Sequence, residues 1–334
     1  MTAGHRCDIG NPPFGHLGES AVREWFRGAK LELPDLYSFD GNPQGFRLIS
    51  FLSGNDNYGL NLTATLLLSS VKYPWKLENK PPDATKIGLF SSDWQSYCDA
   101  CEKLDWTPGK PFPFMLLMDT ADEIAYSMSD LEDGLEKGII TMRDLQDEFG
   151  KERLPTTNIK EMIPFKTRVI NEAVEEAAHS FCHQLGQILE GDKFFLINKT
   201  SDIHHFLKKV KNFARKKIYA DRSAEQIELA GRSVIRGLLN HFGSLICSKP
   251  DQPFPENDFL SLINNNSDTI KQRELDFELR LFRRLPISYR EKYNDGARGT
   301  ESLRRSHLIL DFISGMTDDF ALETYQILEG IRIK

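Results

Sequence analysis

A short segment near the beginning of the chain places acid, imidazole and carboxylate groups within a few residues of one another. In the run DIGNPPFGHLGE, Asp8 comes first, and His16 and Glu19 follow after a stretch that is rich in glycine and proline. Glycine and proline permit or fix backbone shapes that other residues resist, so the segment could hold His16 near Asp8 without helical spacing. The segment therefore suits an active-site loop, and it also suits a plain loop that leads into the helix around Trp25.

A second group of polar residues recurs every four positions between residues 119 and 133. Asp122, Tyr126 and Asp130 would share one face of a helix. Two carboxylates and a phenol on one stripe suit a metal ligand at one end and the recognition of hydroxyl groups further along. Since Glu123 and Glu132 add charge on other faces, the same pattern is also typical of an exposed acidic helix.

Candidates for phosphate binding follow in two further runs. The run FDGNPQGFR offers the side-chain amides of Asn42 and Gln44 and the guanidinium of Arg47. The run VKYPW offers Lys72, a point charge suited to phosphate. Each of these residues taken alone would be an ordinary surface residue.

Most of the chain around these residues shows the apolar periodicity of helices. Apolar side chains recur three and four positions apart in 163–189, 203–219 and 226–242. Only 86–90 and 194–197 look strand-like, and both are too short and too isolated to support a sheet core. We therefore expect an all-α fold, with one domain over 1–150 and a helical domain over 151–334 that meet at a polar stretch around 147–158.

Composition limits the class of protein and of partner. The chain has 334 residues and a net charge of −7, so no overall positive field draws it to nucleic acid or anionic lipid. No apolar run approaches the roughly 20 residues that a membrane-spanning helix needs. The five cysteines are an odd number spread through the chain, which argues against a disulfide framework. We expect a cytoplasmic protein without membrane contact. The one dense basic run, 208–217, is typical of a solvated helix face and would alternatively bind a polyanion.

Six recognisable strings follow one another along nearly the whole chain. They are DIGNPPFGHLGE, FDGNPQGFRL, LSSVKYPW, MDTADEIAYSMSDLEDGLEKG, IELAGRSVIRGLL and LDFISGMTDDFALETYQ. Taken in this order, they resemble the dGTP triphosphohydrolase branch of the HD-domain phosphohydrolases. The resemblance implies an HD-domain-like helical bundle with a helical C-terminal extension. It also implies metal-assisted hydrolysis of a dNTP, with dGTP as the preferred substrate, at the α-phosphorus to give the deoxynucleoside and triphosphate.

The same resemblance implies roles for individual residues. Asp8 and Asp122 would bind a divalent metal, Mg²⁺ or Mn²⁺, and His16, assisted by Glu19, would be the catalytic imidazole beside the scissile phosphate. The substrate-binding residues would be Asn42, Lys72 and Tyr73 at the phosphates or nucleotide body, Tyr126 and Asp130 at the deoxyribose, and Glu228 toward the base. Members of the family typically form homo-oligomers and some respond to single-stranded DNA, so both are expected partners here.

The chain departs from the family's pattern at the metal ligands. Cys7 stands where the family has a histidine before Asp8, and His5 lies two residues earlier. The family's first metal-binding histidine lies upstream of this segment, so we expect an N-terminally shortened member. A cysteine thiolate suits softer metals than Mg²⁺, and we expect weak metal binding through Cys7 and impaired activity. The alternatives are a non-catalytic subunit that binds nucleotide or single-stranded DNA, and a truncated remnant of such an enzyme.

Overall fold

The computed structural model describes residues 9–54, 56–192, 194–294 and 298–332, without the side chains of Ser223 and Ala224. Its helices are, in chain order, α1 (Gly15–Ala29), α2 (Gly41–Arg47), α3 (Ala64–Ser69), α4 (Trp94–Glu102), α5 (Pro113–Glu136), α6 (Met142–Phe149), α7 (Met162–His183), α8 (Leu185–Leu189), α9 (Asp202–Lys217), α10 (Arg222–Phe242), α11 (Glu256–Ile263), α12 (Ser267–Gln272), α13 (Asp276–Arg284), α14 (Ile287–Tyr293), α15 (Glu301–Ser314) and α16 (Asp318–Leu328). Two short strands, β1 (Cys247–Lys249) and β2 (Gln252–Pro253), pair antiparallel in a hairpin. The expected all-α fold is confirmed for the described residues.

The three segments with strong helical periodicity are helices. The segment 163–189 forms α7 and α8, 203–219 forms α9, and 226–242 lies within α10. The segments 86–90 and 194–197 contain no strand. Within the described part of the chain, no helix combines the length and the apolar character that a bilayer crossing requires.

The described residues fall into two compact units. The α5 unit comprises 68–72, 110–192 and 194–227. The α1 unit comprises 9–54, 56–67, 73–109, 228–294 and 298–332. The domain boundary expected near residue 150 stays a prediction.

The α5 unit is built on the packing of α5, α7 and α9 against one another. Leu131, Phe165, Val169 and Val210 are fully buried in these helices. The Phe149 ring, at the end of α6, lies 6.0 Å from the ring of Phe165 between centroids. Because these apolar residues recur at helical spacing, their burial on one face explains why the sequence forms these helices.

Helix α9 carries the dense basic run on the face that does not enter this core. Lys209 Nζ lies 3.6 Å from the Glu148 carboxylate, and Lys211 Nζ lies 2.5 Å from that of Glu123. Val210 between them is fully buried. The run therefore covers a helix whose apolar side packs inward, and acidic neighbours neutralise part of its charge.

The α1 unit has a core to which α1, α10 and α15 all contribute. Val22 and Phe26 of α1 are fully buried, as are Leu239 of α10 and Ile309 of α15. The burial of these side chains fixes the rotation of α1 about its axis. Residues on the other faces of α1 therefore point away from the core in defined directions.

A buried ion network ties α2 to α15 in the same unit. Arg47 donates from Nε and Nη2 to the Asp311 carboxylate, at 2.9 Å and 2.8 Å. Asp93 lies 3.5 Å from Arg47 and 2.6 Å from Arg298. Burial alone would lower the pKa of Arg47, but the two carboxylates outweigh it and raise that pKa. Arg47 is therefore charged, and its partners hold the C-terminal end of α2.

Candidate functional site

The backbone of the loop before α1 approaches that of α2 closely, and glycines on both segments make room for this approach. Gly10 has a φ of 100°, and a Cβ there would come within 2.2 Å of the Gly45 nitrogen. A Cβ on Gly45 would in turn lie 2.3 Å from the carbonyl oxygen of Ile9. Glycine at both positions is what allows this backbone approach. The approach sets the beginning of α1 beside the beginning of α2.

His16 and Glu19 form a hydrogen-bonded pair on the first turns of α1. His16 Nδ1 lies 3.1 Å from Glu19 Oε2, and Glu19 Oε1 accepts a hydrogen bond from Gly41 N at 2.8 Å. The Glu19 side chain is only 4% exposed, whereas that of His16 is 85% exposed. Glu19 is therefore a buried anchor for an imidazole that faces solvent.

The electrostatic surroundings favour the protonated form of His16. The hydrogen bond with Glu19 raises the pKa of His16 above its usual value, although partial burial and nearby Lys86 oppose the rise. A raised pKa enlarges the protonated fraction near neutral pH. His16 is therefore suited to donate a proton to a ligand in front of it.

Asp40 and Lys86 add a second pair of opposite charges. Asp40 caps α2 by accepting a hydrogen bond from Asn42 N at 3.1 Å, and Lys86 Nζ lies 2.7 Å from Asp40 Oδ2. Burial alone would raise the pKa of Asp40, but the hydrogen bonds from Lys86 and Asn42 lower it. Asn42 is thereby held against Asp40, although Asn42 itself does not line the cleft to which His16, Glu19 and Asp40 contribute.

These residues line an open cleft of about 500 Å³, which we call the His16 cleft. His16, Glu19 and Arg23 line it from α1, and Asp40 and Lys86 line it from later segments. Its volume lies within the range of about 300–1,000 Å³ that is usual for small-molecule sites. A protonated imidazole, an ammonium and a guanidinium around one cleft suit an anionic ligand.

Asp122, Tyr126 and Asp130 lie on α5 at the predicted spacing, and we call these three residues the α5 stripe. Both carboxylates are half-buried, and Tyr126 is 40% exposed. Tyr219 donates a hydrogen bond from its hydroxyl to Asp130 Oδ2 at 2.5 Å. Burial raises the pKa of Asp130, and the bond from Tyr219 opposes that rise. Tyr219 therefore both orients this carboxylate and favours its charged form.

The remaining predicted substrate residues have other surroundings. Lys72 forms an ion pair with Asp119 in the α5 unit. Tyr73 belongs to the α1 unit, where its ring centroid lies 5.9 Å from that of Trp75. Glu228 is exposed on α10 and does not line the His16 cleft.

The predicted metal ligands Cys7 and Asp8, together with His5, lie outside the described residues. Among the residues that are described, no group of three or more His, Cys, Asp or Glu side chains could hold a metal ion. Asp122 offers a half-buried carboxylate, a donor type that suits hard divalent ions. One carboxylate alone is not a complete donor set for a divalent metal.

Sequence reasoning missed four residues of these groups, one of them Arg23 of the His16 cleft. Lys86 lies in a segment that looked strand-like, and nothing in the sequence pairs it with Asp40. Tyr219 lies 89 residues from Asp130, so no local spacing links them. For Asp40 a signal was present, because an aspartate immediately before a helix is a common N-terminal cap.

The sequence is similar to those of known proteins over most of its length. The family described as phosphohydrolase-associated domain matches residues 278–327. A deoxyguanosinetriphosphate triphosphohydrolase of Klebsiella pneumoniae subsp. pneumoniae is 29% identical, over 97% of this chain and 77% of that protein. A deoxyguanosinetriphosphate triphosphohydrolase-like protein of Listeria monocytogenes is 28% identical, over 98% and 77%. A probable deoxyguanosinetriphosphate triphosphohydrolase of Pseudomonas aeruginosa is 26% identical, over 97% and 76%.

The matches agree with the six strings that gave the first resemblance. The relatives cover nearly all of the chain, and the phosphohydrolase-associated domain adds a separate match near its C-terminal end. The all-helical architecture fits the same assignment. Over nearly its whole length the chain is therefore similar to proteins named deoxyguanosinetriphosphate triphosphohydrolases, and its C-terminal match and helical fold are consistent with the HD-domain phosphohydrolases.

Proposed function

We propose that the protein is a dNTP triphosphohydrolase that converts dGTP and water into deoxyguanosine and triphosphate. The observation that carries this proposal is the chain of contacts from Gly41 N through buried Glu19 to the exposed imidazole of His16. These groups open on a cleft that also holds Lys86. The names of the relatives from Klebsiella pneumoniae and Pseudomonas aeruginosa support the same reaction.

His16 acts as the proton donor to the leaving group. Because Glu19 engages Nδ1, the imidazole keeps Nε2 available for the substrate. Water attacks the α-phosphorus, the bond from that phosphorus to the 5′-oxygen breaks, and His16 protonates this oxygen. Deoxyguanosine then leaves with a neutral hydroxyl, and the attacking water's oxygen stays on the triphosphate. The proton that this water loses passes to solvent, from which His16 is protonated again. The raised pKa of His16 favours the protonated form that this step consumes.

Cations of the chain hold the triphosphate. Lys86 and Lys72 are point charges suited to phosphate oxygens, and Arg23 adds a guanidinium to the His16 cleft. Asn42 and Tyr73 contact the phosphates or the body of the nucleotide. Positive groups that face the charge developing on the phosphate lower the barrier of the reaction.

The α5 stripe recognises the sugar. Tyr219 engages one carboxylate oxygen of Asp130, which leaves the other oxygen to accept a hydrogen bond from the 3′-hydroxyl. Tyr126 packs against the edge of the deoxyribose, and Glu228 lies toward the base. Recognition of a hydroxyl by a buried polar group is a strong source of substrate selectivity.

HD-domain phosphohydrolases generally depend on a divalent metal. We infer that Mg²⁺ or Mn²⁺ serves here, with Asp8 and Asp122 as ligands and Cys7 as a weak further donor. We further infer a cytoplasmic homo-oligomer whose α9 cations contact single-stranded DNA. Light scattering tests the assembly, and a salt-dependent oligonucleotide titration tests the DNA contact.

Release of triphosphate from dGTP by the purified protein, with Mg²⁺ or with Mn²⁺, tests the proposed reaction. His16→Ala is expected to lower kcat by about 10²- to 10⁴-fold, since it removes the general acid. His179→Ala changes an exposed histidine of α7 and is expected to leave kcat unchanged. Binding of dGTP without turnover would instead favour a non-catalytic nucleotide-binding subunit. If the protein neither binds nor hydrolyses dGTP, both hypotheses are wrong.

A further inference from the structure

A second cavity of the α1 unit, about 570 Å³ in volume, lies on another face of α1. Glu24, Trp25 and Gly28 line it from α1, whereas His16 and Glu19 of the same helix line the His16 cleft. Its other walls come from α10, the turn after α10, and β1. No residue assigned above to the proposed reaction lines this cavity. A ligand bound here would therefore serve another purpose than catalysis.

The indole of Trp25 forms a fixed aromatic wall of the cavity. Its Nε1 donates to Asn240 Oδ1 at 3.1 Å, and its ring meets that of Phe26 edge-on, with centroids 5.0 Å apart. On another side the indole lies against Gly243, where a Cβ would come within 2.1 Å of Trp25 Cζ2. The ring is therefore held in one orientation, as a stacking surface requires.

The polar lining of the cavity carries excess positive charge. Arg236 of α10 and Lys249 of β1 are both exposed, and neither forms an ion pair with any residue that the structure describes. The one acidic residue in the lining, Glu24, already pairs with Arg232 at 2.5 Å. An anion that enters the cavity therefore meets two uncompensated cations.

We propose that this cavity binds a small planar ring that carries a phosphate, such as a nucleoside monophosphate. The ring stacks on Trp25, and the phosphate pairs with Arg236 and Lys249. Ser244 and Ser248 add hydroxyl groups to the same lining. Aromatic stacking and charge pairing within one cavity select for a ligand that has both features, rather than for a simple anion. The cavity is also of the size usual for small-molecule sites, which span about 300–1,000 Å³.

Titration of the full chain with AMP, followed by tryptophan fluorescence, tests the proposal. AMP is expected to quench the signal of Trp25, one of four tryptophans, and Trp25→Phe is expected to remove that part of the quenching. Adenosine and inorganic phosphate each keep only one half of the recognised structure, so both are expected to bind more weakly than AMP. Phosphate that binds as tightly as AMP would overturn the role of the ring.

A matched pair of double variants separates the site from general charge effects. Arg236→Ala with Lys249→Ala is expected to weaken AMP binding by about tenfold or more, since two charged contacts are lost. Lys103→Ala with Arg284→Ala removes two exposed cations of the same unit that do not line the cavity, and is expected to change nothing. Equal AMP affinity in the two double variants, or no binding by the unchanged protein up to about 1 mM, overturns the proposal.

A further variant tests the wall without removing a charge. Gly243→Ala places a methyl group against the indole and is expected to weaken AMP binding while circular dichroism shows a folded protein. AMP binding that is unchanged in this folded variant would contradict stacking on Trp25. Hydrolysis of dGTP is expected to persist in all the variants of this cavity, so failure here leaves the proposed reaction untouched.

Discussion

The residues of the His16 cleft are held by buried contacts, whereas the α5 stripe stands on a helix face that is half open to solvent. In the cleft, the side chains of Glu19 and Asp40 are 4% and 5% exposed. On α5, Tyr126 is 40% exposed, and the nearby ion pair between Lys211 and Glu123 is exposed to a similar degree. The geometry of the cleft thus depends on tertiary packing, and that of the stripe on the continuity of one helix.

Removing one partner of an ion pair should lower the free energy of unfolding by different amounts in the two regions. A buried charge that loses its partner stays desolvated, so removal of that partner destabilises the fold strongly. An exposed pair exchanges its partner for water at little cost. Four substitutions test this difference, beginning with the largest expected effect.

Arg47→Met should destabilise the α1 unit strongly, because it leaves the buried carboxylates of Asp311 and Asp93 without their common cation. We expect a loss of about 3–5 kcal/mol in the free energy of unfolding. Urea denaturation measures this loss. Lys211→Met is the matched change at an exposed pair of α5, with an expected loss below about 1 kcal/mol. Similar losses in both variants would contradict the larger contribution that we assign to the buried ion network.

Glu19→Gln should keep the hydrogen bond from Gly41 N but replace the charged partner of His16 with a neutral amide. We expect kcat for dGTP hydrolysis to fall by about 10²-fold, because the general acid is less often protonated and less well oriented. Since Glu19 raises the pKa of His16, its loss lowers that pKa. The alkaline fall of kcat should therefore move to lower pH in a pH–rate profile. An unchanged profile would contradict the assigned role of this pair.

Lys86→Met should make the protein more sensitive to acid. Lys86 helps to lower the pKa of Asp40, so ionised Asp40 stabilises the fold above the ordinary aspartate pKa and loses this effect as the pH falls through its lowered pKa. Without Lys86 that pKa rises, and the midpoint of acid unfolding should shift to higher pH. At neutral pH we expect a loss of about 1–3 kcal/mol, since Asp40 is only 5% exposed and keeps its hydrogen bonds from Asn42. Circular dichroism against pH measures the shift, and Lys103→Met should show none.

Tyr219→Phe should have the smallest effect, because it removes one hydrogen bond from a half-exposed carboxylate. We expect KM for dGTP to rise by about threefold with kcat nearly unchanged, which corresponds to well under 1.4 kcal/mol. The pKa of Asp130 should also rise, since the bond from Tyr219 opposes the effect of burial. Tyr58→Phe, at an exposed phenol of the α1 unit, is the control. If Tyr219→Phe has the same KM for dGTP as Tyr58→Phe, Tyr219 does not contribute to substrate binding.

Local sequence patterns predicted the elements well where one helix face decides the outcome. The apolar spacing of α7, α9 and α10 marked these helices within a few residues of their ends. The four-residue spacing of Asp122, Tyr126 and Asp130 likewise predicted a common face on α5. In both cases the residues concerned lie on one face of a single helix, so their spacing in the sequence is periodic.

Tertiary structure alone decided which distant residues complete each group. Lys86 reaches Asp40, Tyr219 reaches Asp130, and Arg47 reaches Asp311 across separations that carry no periodic signal. By itself, the sequence determined the helical class, the resemblance to dGTP triphosphohydrolases and the candidate chemistry of His16, because these follow from residue type and short-range order. Pairings between elements depend on how helices pack, and packing sums many weak contacts that no short segment contains.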